Sequence, residues 1–347
     1  MRYPEFIKPG DTIGYVAPSF GCSMEPYKTA FQNALKKLEY LGYGSVLGPN
    51  VYEQNGTGIS NAPDKCAAEF MEAYVSEDSD ALISCGGGEL MCEILSFMDF
   101  ERIAAAEPKW FMGYSDNTNL VFPLTTLCDT AAVYGPCASS FGMEPWHESI
   151  SDALKVLTGE KLTETGYPTY EIESGKDEEN PLATINATEP RVLTLLMPTG
   201  GRLQVTDAVS MRGRLVGGCL DCLVNLLGTR FDRTAEFVER YKDDGVLWFI
   251  EACDLNVFSI RRALWQMKEA GWFKYASGVL VGRPLNGEEM FGLDHIRAFA
   301  EPLAELGVPV VIDTDIGHVS PMMPVISGAV GEYTAEGQEQ RLVMKLV

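Results

Sequence analysis

Lys109-Trp-Phe-Met-Gly-Tyr-Ser-Asp-Asn-Thr118 sets an apolar strand directly before a polar turn, and the apolar stretch Leu120 to Leu127 follows it as a helix. A strand that runs at once into a helix is the repeating unit of a parallel sheet. A serine at that turn, Ser115, is pushed out of the sheet with its hydroxyl exposed and with backbone N–H groups beside it at a helix N-terminus. Those N–H groups can hold the oxyanion of a tetrahedral intermediate. The pattern is Gly-x-Ser-x-Asn rather than Gly-x-Ser-x-Gly, so a plain alternative stands beside the nucleophile: Ser115, Asp116 and Thr118 simply cap the helix.

Outward from this stretch the same alternation repeats. Asp11 to Ser19 reads as a buried strand entering a loop, and Tyr27 to Leu41 as a helix with Phe31, Leu35, Leu38 and Leu41 on one face. Asp80 to Cys85 is a strand that ends in Gly86-Gly87-Gly88, and Ala131 to Gly135 is another. The first half is therefore expected to be an α/β domain with a parallel sheet, its site where strand C-termini meet helix N-termini. From Leu162 to Pro190 the pattern lapses, and Glu171 to Pro181 is acidic and aperiodic, as in a linker or exposed hairpin. Strands at 246–250, 279–282 and 308–312 and a helix at 260–270 mark a second ordered region. The expected division is a domain at 1–165, a linker or covering loop at 166–190, and a domain at 191–347.

Composition narrows the classes. A chain of 347 residues with 46% hydrophobic content suits two globular domains. No apolar run reaches the length of a membrane span, and the N-terminus lacks the apolar core of a secretory signal, so a cytoplasmic location is expected. The net charge of −22 argues against nucleic acid or an anionic membrane as partner. Nine scattered cysteines, an odd number mostly inside apolar runs, fit reduced thiols packed as small hydrophobes. Cys219-Leu-Asp-Cys222 has metal or redox spacing, but no second cysteine pair or histidine lies near it in the chain, which favours a structural reading.

Other motifs carry less. Gly86-Gly87-Gly88 permits close backbone approach and could supply a second oxyanion donor; no dinucleotide fingerprint follows it. Gly175-Lys176-Asp177 lacks the frame of a phosphate loop. A serine needs a base, and there are three histidines. His147 and His295 sit in polar sequence and read as surface residues. His318 ends an apolar strand in the glycine- and proline-rich turn Asp315-Ile-Gly-His-Val-Ser-Pro-Met-Met-Pro324. Glu251 closes the buried strand Leu247-Trp-Phe-Ile250, where a carboxylate is costly unless paired. It could orient an imidazole, or it could form a structural salt bridge with Arg261 or Arg262.

These pieces together resemble the LD-carboxypeptidase family of serine peptidases, which includes the microcin C immunity-type proteins. The resemblance runs through Ile7 to Ser19, Gly86-Gly87, Lys109 to Thr118, Gly135-Pro136, Gly213 to Leu220, Leu227-Gly-Thr229, Phe249-Ile-Glu251, Ile260-Arg-Arg262 and Gly317-His-Val-Ser-Pro321. It implies a triad of Ser115, Glu251 and His318, with an oxyanion hole from the N–H groups of Asp116 and Gly87. It implies an N-terminal parallel α/β domain, a smaller β-rich C-terminal α/β domain with the site between them, a homodimer, and neither metal nor organic cofactor. Two activities occur in the family: removal of a terminal D-alanine from a muropeptide, and cleavage of the amide joining a peptide or aminoacyl group to a nucleotide-like moiety. Gly217-Gly-Cys219 looks like the immunity-type branch, since the recycling enzymes tend to show Gly-Gly-Asn. Asp254 and Gly88-Glu89 depart from the family pattern and leave substrate detail open. A non-catalytic peptide- or nucleotide-binding protein on the same scaffold is the competing class. A glutamine-amidotransferase-like enzyme would need a cysteine where Ser115 stands.

Overall fold

Apolar runs too short for helices, each closed by a glycine, serine or polar turn, become the strands of two sheets. The computed structural model describes residues 1–347, and the chain divides into two compact units. One holds Met1–Lys161 with Glu173–Asn186; the other holds Leu162–Ile172 with Ala187–Val347. The segment read as a linker is thus divided between them.

The first unit runs β1 (Thr12–Val16), α1 (Tyr27–Tyr40), β2 (Gly44–Leu47), α2 (Pro63–Val75), β3 (Ala81–Ser84), α3 (Phe100–Ala105), β4 (Trp110–Gly113), α4 (Thr118–Thr126), β5 (Ala132–Tyr134) and α5 (Glu148–Leu157). Its strands lie in the order β5-β4-β3-β1-β2, every pairing parallel, as the alternation predicts. α1 buries Ala30, Phe31, Ala34 and Leu38, a stripe of helical period. β1 steps outward to β2, whereas β3, β4 and β5 extend the other way. The strand order therefore reverses at β1 and β3, and the loops after those strands flank a natural crevice. Ser19 and Gly86 to Gly88 occupy those loops.

The second unit begins with three two-residue strands, β6 (Thr163–Glu164), β7 (Thr169–Tyr170) and β8 (Glu189–Pro190), then β9 (Thr194–Thr199), β10 (Arg202–Val205) and β11 (Ala208–Cys219). It continues with α6 (Leu220–Leu226), α7 (Thr234–Arg240), β12 (Val246–Glu251), α8 (Val257–Glu269), β13 (Ala276–Gly282) and α9 (His295–Leu303). β14 (Val310–Thr314), β15 (Val325–Ser327), β16 (Val330–Glu336) and β17 (Glu339–Lys345) complete it. A nine-stranded sheet has the order β10-β9-β14-β13-β12-β11-β16-β17-β6. Its four central strands, β14 to β11, are parallel, and its flanks are antiparallel. Val246 to Ile250 are fully buried. Burying each large apolar side chain is worth about 1.5–3 kcal/mol, which offsets the cost of ending that strand on a buried carboxylate, Glu251.

Candidate functional site

Ser115 sits where β4 ends, in a one-turn 3-10 segment, Ser115–Asn117, that leads into α4. Its φ is +64°, a left-handed conformation that a serine adopts only at a cost of about 1–3 kcal/mol. The surroundings impose it. The Ser115 N–H donates to the Tyr134 hydroxyl (3.2 Å). The Asn117 amide donates to the carbonyls of Gly86 (2.8 Å) and Tyr114 (3.0 Å). Asp116 is buried, and its carboxylate accepts from the Ser19 hydroxyl (2.6 Å), the Met91 N–H (3.0 Å) and the Asn119 amide (3.0 Å). Burial pushes the Asp116 carboxyl above its usual range, and these hydrogen bonds draw it part of the way back. Neither Tyr114 nor Asn117, the residues at the two helix starts, makes a side-chain cap. The carboxylate of Asp116 ties the turn to the loops after β1 and β3.

The glycine loop after β3 lies against this serine. A Cβ built on Gly87 would fall 3.1 Å from both Cβ and Oγ of Ser115, and one on Gly88 would overlap the Ser19 hydroxyl. Gly87 is fixed as well as close. Its carbonyl accepts from the Phe20 N–H (2.8 Å), and the Gly86 carbonyl accepts from Asn117 and from the Ser84 hydroxyl (3.0 Å). Because the peptide is planar and trans, anchoring the Gly86 carbonyl turns the Gly87 N–H to the opposite side.

In the second unit, His318 Nδ1 lies 2.8 Å from Glu251 Oε2. Glu251 ends a central strand and is fully buried, while His318 is slightly exposed. Burial disfavours the charged imidazole, but the Glu251 carboxylate and the neighbouring Cys253 side chain outweigh it and hold His318 well above its usual range. Nδ1 is the ring nitrogen that the carboxylate engages. The turn that carries His318 is anchored by Asp315, which accepts from the Tyr167 N–H (2.8 Å) and the Gln340 amide (2.9 Å) and pairs with Arg283. Gly317 has a φ of +102°, and any Cβ there would strike the Glu251 side chain.

The other candidates go elsewhere. The salt bridge considered for Glu251 does not form: Arg261 pairs with Glu301, and Arg262 donates to the Ser259 hydroxyl. His147 caps α5 by accepting the Ser149 N–H, and His295 pairs with Asp313 at 3.1 Å. Sequence reasoning did not find Tyr134, Asn117, Ser19, Asp315 or Arg283. It also kept Cys219 apart from the site, yet Cys219 is the register partner of Glu251 across β11 and β12.

One unit presents a serine on a left-handed strand-to-helix turn, and the other a buried carboxylate–imidazole pair. The class is a two-unit α/β protein with the elements of a hydrolase. The chain belongs to the LD-carboxypeptidase family: the N-terminal domain of that family matches residues 13–135 and its C-terminal domain residues 212–332. A probable murein peptide carboxypeptidase of Bacillus subtilis is 29% identical, over 94% of this chain and 89% of its own. The microcin C7 self-immunity protein MccF of Escherichia coli is 25% identical, over 92% of this chain and 89% of its own. A solved structure of the microcin C7 self-immunity protein with aspartyl sulfamoyl adenosine shares the fold, with a TM-score of 0.80 and 21% identity over 100% of this chain and 99% of that one. No helix is long and apolar enough to cross a membrane.

Proposed function

We propose that the protein is a serine hydrolase that cleaves a peptide-type amide through an acyl-enzyme, with Ser115 as nucleophile. The observation that carries the reading is the left-handed Ser115 backbone with a glycine packed against its side chain. Strain of that kind persists where the surroundings over-determine it, and it clusters at functional sites. His318 Nε2 takes the Ser115 proton as Oγ attacks the carbonyl, Glu251 orients the imidazole and stabilises its charged form, and the N–H groups of Asp116 and Gly87 receive the oxyanion. His318 then returns the proton to the departing amine, and water releases the acyl group by the same steps in reverse.

Two substrates fit the relatives and the family resemblance: a murein-type peptide, for which the resemblance implies a terminal D-alanine, and an aminoacyl or peptidyl nucleotide analogue. Turnover of a tetrapeptide ending in D-alanine, measured beside an aminoacyl-sulfamoyl adenosine, separates them. Ser115→Ala abolishes hydrolysis of whichever is cleaved while the fold survives. A Ser115→Ala protein that hydrolyses either at the wild-type rate removes the assignment. Tight binding of one compound without turnover by the wild-type protein would favour the non-catalytic alternative. The homodimer belongs to the same reading, and sedimentation equilibrium tests it.

A further inference from the structure

β11 and β12 run parallel, and in their register Cys219 faces Glu251. Partners of this kind on neighbouring strands project from the same face of the sheet about 5 Å apart. The imidazole of His318 joins them through its bond to Glu251. A thiol, a carboxylate and an imidazole, each from a different part of the second unit, thus bring one ligand atom apiece to within 4.8 Å of one another. Cys219 and Glu251 are buried, and His318 gives the cluster an opening to solvent.

We propose that Cys219, Glu251 and His318 form a site for a borderline-soft divalent cation, zinc in particular, and that the bound cation switches the protein off. The donor set is one that zinc takes: thiolate, imidazole and carboxylate at about 2.0–2.3 Å, with a fourth position open to water. Such bond lengths set ligand atoms roughly 3.3–3.8 Å apart in a tetrahedron, so a pair at the 4.8 Å limit closes by about 1–1.5 Å while the 2.8 Å His318–Glu251 pair opens by about 0.5 Å. Hard cations are not favoured, because magnesium and calcium choose all-oxygen shells. The nearby Asp221 carboxylate accepts from the backbone N–H groups of Cys253, Asp254 and Leu255 and from the Cys219 thiol (3.4 Å), whose proton leaves when the sulfur binds the ion as thiolate. A cation held here takes the carboxylate and imidazole that the hydrolytic mechanism needs. The binding site stands on its own geometry, whereas the inhibition rests on the proposed triad.

The test titrates zinc alone into the full chain against a chromophoric chelator, and cobalt(II) alone while near-ultraviolet absorption is followed. The result expected is one equivalent of tight binding and a thiolate-to-cobalt charge-transfer band. Cys219→Ala and Cys219→Ser lose that band and at least about tenfold in zinc affinity, while Cys92→Ser and Ser115→Ala keep both. Thermal melts of the apo-proteins confirm that each variant is folded. Zinc at that affinity stops amide hydrolysis, and a chelator restores it. A zinc affinity that is the same in wild type and both Cys219 variants, or a cobalt complex without a thiolate band, overturns the site. Binding that depends on Cys219 but leaves hydrolysis untouched supports the site and refutes instead the roles given to Glu251 and His318.

Discussion

Replacing Gly317 by alanine strikes the carboxylate–imidazole pair without removing either member. At φ +102° the backbone occupies a region that is open almost solely to glycine, and an alanine there costs about 1–3 kcal/mol. The new methyl would lie 2.5 Å from Cγ and 2.6 Å from Cδ and Oε2 of Glu251. Glu251 cannot back away, because its strand is buried between β11 and β13 and Gly282 is packed against its Cβ. Overpacking a filled interior adds about 1–3 kcal/mol. If the fold holds its position, the loss of stability is thus about 2–6 kcal/mol. If the turn yields instead, His318 moves off Glu251 and the 2.8 Å bond is lost. A displacement of about 1 Å at such a group can cost on the order of a hundredfold in rate. Urea denaturation and kcat/KM for the cleaved amide, measured on the same preparation, read both outcomes. A Gly317→Ala protein with the wild-type urea midpoint and a rate within twofold of wild type would refute the close packing of this turn on Glu251.

Four further outcomes are expected. Because Glu251 holds His318 well above its usual range, kcat/KM stays low in acid and rises only as pH climbs through the raised value, and Glu251→Gln moves that rise to lower pH while cutting the plateau by several orders of magnitude. By linkage the charged pair stabilises the fold below the ordinary histidine range, and that contribution disappears as pH rises through the raised value, which melting curves across pH will record. Asp116→Ala takes the carboxylate away from the Met91 N–H and the buried Ser19 hydroxyl, so it costs about 2–4 kcal/mol in urea denaturation and slows labelling of Ser115. Asp315→Ala leaves the Arg283 guanidinium buried without its partner, costs about 3–5 kcal/mol, and lowers activity through the His318 turn.

Much of this site was legible in the chain, for identifiable reasons. The strand before Ser115 and the helix after it have distinct hydrophobic periods, so the turn between them could be located to the residue. What the periods do not carry is the sign of φ at Ser115, which depends on Tyr134, Asn117 and the Gly86 carbonyl meeting in space. Glu251 stood out as an acid ending a wholly apolar strand, and β12 is indeed buried throughout. Its partner was ambiguous, since Arg261 and Arg262 are near in sequence while His318 is 67 residues away. The helical phase of α8 carries Arg261 to Glu301 instead. In the sequence Cys219 reads as structural, because the chain shows no histidine near it. The parallel register of β11 with β12 supplies the missing neighbour, and register between non-adjacent segments has no local signature. Asp315 reads in the sequence only as part of a turn, because the four partners of its side chain, Tyr167, Arg191, Arg283 and Gln340, are spread along the chain.

The central claim is that Ser115 is the nucleophile, and covalent labelling tests it most directly. Treated with a fluorophosphonate, the wild-type protein should gain one adduct, which peptide mapping puts on Ser115. The adduct should be absent from Ser115→Ala and form far more slowly in His318→Ala. Labelling at another residue, or a wild-type protein that hydrolyses its amide while Ser115 stays unreactive, would contradict the account.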